Sequence, residues 1–249
     1  MHILVIDGGH VEAEFREKFG PGHEYTFLPN AWGAPHGEYN SRKEALEKAA
    51  GTAGVIFDFH RDLFSRTVAR PDQLIFADTV EVNLIDKIRL IKMSPGNPVP
   101  VASGVSPFPI IGFCGLPTLL NRPLLEVSLY DEADREKLAA TCAALGTDYR
   151  VVADRVGLVT PRVICQIINE ACFTVQEGTA TMPDVDLGMK LGTNYPRGPF
   201  AWANAIGVER VYAVLEAMWQ DTHDERYKVC PLLKRQALRG EPFAVLLSS

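Results

Sequence analysis

The chain has 249 residues, of which 47% are hydrophobic and 22% charged, a composition typical of globular proteins and incompatible with a disordered chain. Its 31 acidic residues outnumber its 25 lysines and arginines, and the net charge of -6 argues against duplex nucleic acid or an anionic membrane as the main partner. The sequence has neither an apolar stretch of the ~18 residues that a membrane span requires nor a basic leader with a cleavage site, which predicts a cytoplasmic protein.

The cysteines and histidines do not form a metal or disulfide pattern. The five cysteines are irregularly spaced, without a C-x-x-C pair, and the six histidines lack the spacing of metal ligands. Asp58, His60 and Asp62 alternate after a buried strand, which fits either one solvent-facing polar face or a metal triad, and we favour the polar face. The sequence therefore predicts no metal site.

Strand and helix patterns alternate through the first half of the chain. The apolar residues 3–6 run into a glycine turn and then a helical pattern that continues to Phe19. Ser41, followed three residues later by Glu44, predicts a capping box that opens a helix to about Ala50. Further strands are predicted at 25–28, 54–57, 73–77, 109–113, 124–129 and 149–152, with a helix at 132–145. This alternation predicts an α/β fold with a doubly wound parallel sheet over residues 1–154.

Strand patterns nearly disappear after Asp154. Helices are predicted at 162–178, 184–191, 199–205, 208–220 and 230–239, separated by Gly, Pro and Asp. We therefore predict a domain boundary near residues 154–157 and an all-helical domain over residues 155–249. The segment 92–109 carries five prolines without a helical period, which is typical of a functional or mobile loop.

One run in the helical half carries a family resemblance. Residues 189–200 read M-K-L-G-T-N-Y-P-R-G-P-F, with Asp184-Val185-Asp186 before them and Y-K-V-C-P-L-L downstream at 227–233. This resembles the C-terminal domain of the 3-hydroxyacyl-CoA dehydrogenase family, whose helical domain carries a similar K-L-G-x-x-x-P-x-G-P-F run. The glycines and prolines also have a purely structural interpretation, as a helix-to-helix connection with Pro199 in the first turn of the next helix.

The resemblance implies a Rossmann-like NAD-binding domain followed by a helical domain. In the family, the helical domain supplies the dimer interface and one wall of the acyl-CoA pocket. The reaction that the resemblance implies is the NAD-dependent oxidation of a 3-hydroxyacyl-CoA at C3, an oxidoreductase step of fatty acid metabolism. The same resemblance predicts a homodimer that forms through residues 155–249.

The dinucleotide motif G-x-G-x-x-G is degenerate here. Its six positions read D-G-G-H-V-E over residues 7–12, so that Gly9 is the one motif glycine retained, with Gly8 before it. Asp7 and Glu12 would repel a pyrophosphate, although Glu12 also fits an acid that simply stabilises a first helical turn. We predict Gly8 and Gly9 as the remaining contacts of a weakened NAD site. The acid expected at the end of the second strand is replaced by Asn30, and the 24 residues between Asn30 and Val55 are too few for the family's CoA-binding hairpin.

The catalytic positions are also substituted. The resemblance places the family's catalytic histidine at Cys114 and its orienting glutamate, twelve residues later, at Glu126. The catalytic asparagine falls on Pro161, and the two loop serines fall on Val80 and Glu81. Cys114 also fits a small buried apolar residue, and Glu126 fits a side chain that points to solvent from an edge strand.

Three hypotheses follow. The first is a shortened, diverged 3-hydroxyacyl-CoA dehydrogenase whose activity is weak or lost. If the activity is lost completely, the protein is a pseudoenzyme. The second is a non-catalytic dimer that binds an acyl-CoA-like ligand or pairs with an active homologue. The third is a different reaction with Cys114 as nucleophile, which would need a positive neighbour, for which Arg122 is the candidate.

Overall fold

The computed structural model describes residues 1–31, 34–35, 37–60, 69–70, 73–81 and 109–245. The chain forms two compact units. One consists of Met1–Gly115 and Leu119–Leu158, and the other of Leu116–Thr118 and Val159–Ser249. The predicted loop at 92–109 and Asp62 lie outside the described residues, apart from Pro109.

The first unit contains a seven-stranded sheet in the described part of the chain, with the order β2-β1-β3-β4-β5-β6-β7. The strands are β1 (His2–Ile6), β2 (Glu24–Leu28), β3 (Val55–Asp58), β4 (Leu74–Asp78), β5 (Ile110–Phe113), β6 (Leu124–Leu129) and β7 (Asp148–Val151). The helices are α1 (Glu12–Phe19), α2 (Tyr39–Thr52) and α3 (Arg135–Leu145). The predicted α/β class and the Rossmann-like fold are confirmed.

The sheet is mainly parallel, as predicted, and one pair of strands departs from the parallel direction. β5 and β6 are antiparallel, whereas every other neighbouring pair is parallel. A parallel crossover needs a dozen or more residues, usually with a helix, and the segment between Phe113 and Leu124 contains no helix. The chain therefore turns back beside β5.

Alternate residues of the sheet are buried under helices on both faces. Ile3 and Val5 pack in the cluster that contains the buried side chains of α1, and Leu4 and Ile6 pack in the cluster that contains those of α2. Because successive side chains of a strand point to opposite faces, a continuous apolar run such as β1 is buried on both sides. This confirms the doubly wound packing that the run predicts.

The predicted capping box at Ser41 is wrong. α2 begins at Tyr39, two residues before Ser41, and its N-cap residue Glu38 makes no side-chain capping bond. The Ser41 hydroxyl donates instead to the Glu38 carbonyl, at 2.9 Å. Ser41 thus bonds backward within the first turn, as serine often does inside helices.

The second unit is helical in its described residues, as predicted. Its helices are α4 (Thr160–Gln176), α5 (Met182–Thr193), α6 (Pro199–Ile206), α7 (Val208–Thr222) and α8 (Pro231–Arg239). All but α7 carry proline at one of the first two helical positions, where the missing N–H costs nothing. Among the described helices, none combines the length and the apolarity that crossing a membrane would take.

Candidate functional site

The turn after β1 is where a Rossmann-like fold holds the pyrophosphate of its dinucleotide. Asp7 adopts φ 58°, in the left-handed region, and residues 9–11 then form a single 3-10 turn before α1 begins at Glu12. The Asp7 carboxylate accepts hydrogen bonds from the backbone N–H of Asn30, at 3.0 Å, and from the Asn30 side-chain amide. Asp7 therefore joins the end of β1 to the end of β2.

Glu12 is paired within its own helix. Its carboxylate accepts from the Arg16 guanidinium at 2.7 and 2.9 Å, one turn later, and both side chains are about half exposed. Such an exposed pair contributes only about 0.3 to 0.5 kcal/mol. This agrees with the interpretation of Glu12 as a helix-stabilising acid, and its charge is partly offset by Arg16.

The two predicted cofactor glycines have different surroundings. A Cβ on Gly9 would meet nothing within 4 Å, so open space lies beside this residue. A Cβ on Gly8 would lie 2.4 Å from Val5 Cγ1 and 2.8 Å from Phe59 Cε2. An aromatic ring thus lies against the turn that a pyrophosphate would approach. With an acid at the first motif position as well, these residues do not fit a bound NAD.

Cys114 and Glu126 lie next to the last paired residues of two neighbouring strands. Cys114 directly follows β5, and Glu126 precedes Val127 of β6, which is paired with Phe113. Cys114 is buried and Glu126 is half-buried. The proposed solvent-facing edge position of Glu126 is wrong, because β6 lies between β5 and β7. The catalytic roles of the two residues stay predictions.

Val80 and Pro161, two of the other positions that the resemblance assigns to catalysis, carry apolar side chains. Val80 is buried, and its carbonyl accepts from the Gly157 N–H at 2.8 Å. Pro161 is buried in the first turn of α4. Neither side chain can donate a hydrogen bond to a substrate carbonyl.

Aspartates stand at the carboxyl ends of three neighbouring strands. Asp58 is fully buried and accepts from the His60 N–H at 2.8 Å, so the predicted solvent-facing position of Asp58 is wrong. Asp78 accepts from the Gly115 N–H at 3.1 Å. Asp7, Asp58 and Asp78 thus all lie at this edge of the sheet, and each accepts a hydrogen bond from a backbone N–H group. In the described ranges, no group of three or more His, Cys, Asp or Glu is placed to hold a metal ion.

All five cysteines have free thiols, and all five are buried. Burial raises the pKa of the Cys142 thiol to about 11 and that of the Cys165 thiol to about 12. Those two thiols stay protonated at neutral pH.

The run at 189–200 has the structural role that its glycines and prolines suggest. Asp186 of α5 is buried, and its carboxylate accepts from the backbone N–H groups of Phe200 at 2.7 Å and Ala201 at 3.0 Å. A Cβ on Gly198 would lie 2.2 Å from Asp186 Cγ. Asp186 thus caps α6, and Gly198 leaves room for its carboxylate. Pro199 is the first residue of α6, as predicted.

Another buried polar side chain joins α4 to the downstream segment. The Asn169 amide donates to the Lys228 carbonyl at 2.9 Å, and its oxygen accepts from the Cys230 N–H at 2.8 Å. Asn169 therefore holds the start of α8 against α4.

Comparisons with known proteins agree with this geometry. Residues 157–242 match the family model described as the C-terminal domain of 3-hydroxyacyl-CoA dehydrogenase. The 3-hydroxyadipyl-CoA dehydrogenase of Escherichia coli K12 is 41% identical over 87 residues, which are 35% of this chain and 18% of that protein. A probable 3-hydroxybutyryl-CoA dehydrogenase of Bacillus subtilis is 39% identical over 36% of this chain and 31% of its own length. These matches thus span less than a third of either relative.

The likeness to solved structures extends over both units. The crystal structure of Mycobacterium tuberculosis FadB2 superimposes with a TM-score of 0.71 at 18% identity, covering 97% of this chain and 95% of that one. At this identity the likeness concerns the fold alone.

Proposed function

The chain belongs to the 3-hydroxyacyl-CoA dehydrogenase family through its helical residues 157–242, and from that premise we propose that it is a diverged homologue whose dehydrogenase activity is weak or lost. The proposal depends on one observation. Cys114, the residue that the resemblance aligns with the family's base for the hydroxyl proton, is a buried thiol.

A thiol at this place is a poor base. A neutral thiol cannot accept a proton, and both burial and a neighbouring carboxylate disfavour the thiolate. The carboxylate of Glu126 can orient an imidazole. Beside a thiol, however, a carboxylate disfavours the thiolate, which is the form that accepts a proton. Val80 and Pro161 add no donor for a substrate carbonyl. Cys114, Val80 and Pro161 therefore supply neither a proton acceptor nor a polarising group for the reaction.

The test is an assay of the reverse reaction. Purified protein is mixed with NADH and acetoacetyl-CoA, and the loss of nicotinamide absorbance is followed beside the Bacillus subtilis relative. We expect kcat/KM at least about 100-fold below that of a relative with a histidine base, because general acid-base catalysis contributes about 10²- to 10⁴-fold. A rate within about tenfold of the relative would contradict the proposal.

A Cys114→Ala variant serves as the control. Any residual rate should survive this change, because the proposal assigns no proton transfer to the thiol. Loss of the residual rate would instead favour a reaction that uses the thiol.

A second candidate function, a non-catalytic dimer that binds an acyl-CoA-like ligand or a partner chain, is favoured by the surface of the helical unit. Leu187 and Leu191 lie one turn apart on α5, with exposed fractions of 52% and 77%. Val163 of α4 is also exposed, at 53%. Apolar side chains of this size on one helix face are typical of an interface.

We expect the chain to sediment as a homodimer. The double substitution Leu187→Glu with Leu191→Glu should weaken the dimer by at least about tenfold in Kd, because burying two unpaired charges at an interface is unfavourable. Sedimentation equilibrium at micromolar concentration measures this. Leu238→Glu on α8, where the leucine is 71% exposed, is the matched control and should leave the dimer intact. A wild-type monomer would remove the dimer from the proposal.

A further inference from the structure

The binding crevice of a doubly wound sheet lies where the strand order reverses. Here the chain runs from β1 to β2 on one side and then to β3 on the other side of β1. The crevice therefore lies at the carboxyl ends of β1 and β3. Phe59 directly follows β3, and its N–H donates to the Ile6 carbonyl at the end of β1, at 3.0 Å.

We propose that the ring of Phe59 fills this crevice and excludes NAD, which deepens the proposed loss of dehydrogenase activity and rests on it. One edge of the ring lies against the turn after β1, where a Cβ on Gly8 would be 2.8 Å from Cε2 and 2.9 Å from Cδ2. The other edge lies against the segment after β5, where a Cβ on Gly115 would be 2.5 Å from Cε1. The ring thus spans the space between two glycines whose missing side chains admit it.

The ring is held by its neighbours. It packs edge-on against Phe15 at 5.9 Å, Phe113 at 5.3 Å and His10 at 5.5 Å between ring centroids. Edge-to-face contacts at these distances stabilise the ring beyond the area that they bury. A dinucleotide that displaced Phe59 would have to break this packing before making its own contacts.

The polar groups around the ring are also committed to the protein. Asp7 accepts from Asn30, and Asp78 accepts from the Gly115 N–H. Both carboxylates thus already accept hydrogen bonds from the protein, and an ionised carboxylate offers no hydrogen-bond donor to a pyrophosphate. The ring of Phe59 is the element that a single substitution removes.

The experiment is a titration of the full chain with NADH, read by isothermal calorimetry and nicotinamide fluorescence. We expect wild-type Kd to be weaker than about 1 mM, and Phe59→Ala to bind at least about tenfold more tightly. Phe27→Ala is the matched control, because Phe27 is a partly buried member of the same cluster whose ring packs against Phe15 and Tyr25. It should bind no better than wild type. If Phe59→Ala does not fold, Phe59→Leu keeps an apolar side chain without the planar ring.

Three results would overturn the inference. The first is wild-type binding of NADH with a micromolar Kd. The second is a Phe59→Ala or Phe59→Leu protein that is folded, by circular dichroism, and binds no more tightly than Phe27→Ala. The third is a gain by Asp7→Gly with Glu12→Gly, while Phe59 is intact, that equals or exceeds the gain by Phe59→Ala, which would assign the block to charge. Tight NADH binding by the wild-type protein without turnover would show that Phe59 does not exclude the cofactor. It would not contradict the proposed loss of dehydrogenase activity.

Discussion

Asp186→Ala should lower the free energy of unfolding of the protein by about 4 kcal/mol, because two charge-assisted hydrogen bonds contribute about 1.5 to 3 kcal/mol each. The buried carboxylate of Asp186 accepts from Phe200 and Ala201 at the start of α6. Its removal leaves both N–H groups without that acceptor and opens a gap beside Gly198. Urea unfolding followed by far-ultraviolet circular dichroism measures the loss.

Asp184→Ala is the matched control. Asp184 lies two residues earlier in α5, is exposed, and interacts with the Thr181 hydroxyl at the N-terminus of the same helix. We expect its replacement to cost less than about 1 kcal/mol, as for an exposed helix-terminal acid. Equal losses in the free energy of unfolding of the two variants would contradict the prediction that capping of α6 by Asp186 is a major contribution to stability.

Gly112→Ala should cost about 3 kcal/mol, at the upper end of typical overpacking. Gly112 lies in β5, and a Cβ there would be 2.2 Å from Ser128 Oγ and 2.7 Å from Thr79 Oγ1. Both hydroxyl residues are fully buried, and Ser128 also donates to Asp154 at 3.1 Å. The strand cannot accept the methyl group unless its neighbours shift, which would be measured as a lower midpoint of unfolding.

Two further variants separate crowding from a general effect of alanine. Gly51→Ala, in α2, has nothing within 4 Å of the new Cβ and should raise stability by about 0.5 to 1 kcal/mol. Adding Ser128→Ala to Gly112→Ala should recover part of the loss, since the nearest clashing atom is then gone. If the double variant is less stable than the sum of the singles, the clash with Ser128 is not the cause.

The elements of the fold could be predicted because their apolar patterns are strong. β6 occupies the predicted residues 124–129, and α6 begins at the predicted Pro199. The antiparallel direction of β6 was missed, because direction depends on the connection before a strand and the hydrophobic pattern is the same either way. The capping box at Ser41 was wrong for a local reason, since a serine and a glutamate three residues apart also occur inside a first turn.

The candidate site was only partly predictable. The pairing of Cys114 with Glu126 followed from the resemblance and stays a prediction, because the paired register of β5 and β6 ends at Phe113 and Val127. Asp58 was misplaced because alternating polar residues suggest an exposed face, whereas β3 is buried on both sides. Phe59 and Asp78 had no signal in the sequence, because a single aromatic or acid after a strand does not reveal which loop it will contact.

The short excursion of residues 116–118 into the helical unit has a consequence for protein engineering. The indole N–H of Trp202 donates to the Thr118 hydroxyl at 2.9 Å, although 84 residues separate the two. A chimera that joins this helical half to another protein's nucleotide half at residue 158 would inherit Trp202 without Thr118. A transplant of the helical half should therefore carry Leu116–Thr118 with it, or restore a hydroxyl acceptor at the equivalent place in the recipient.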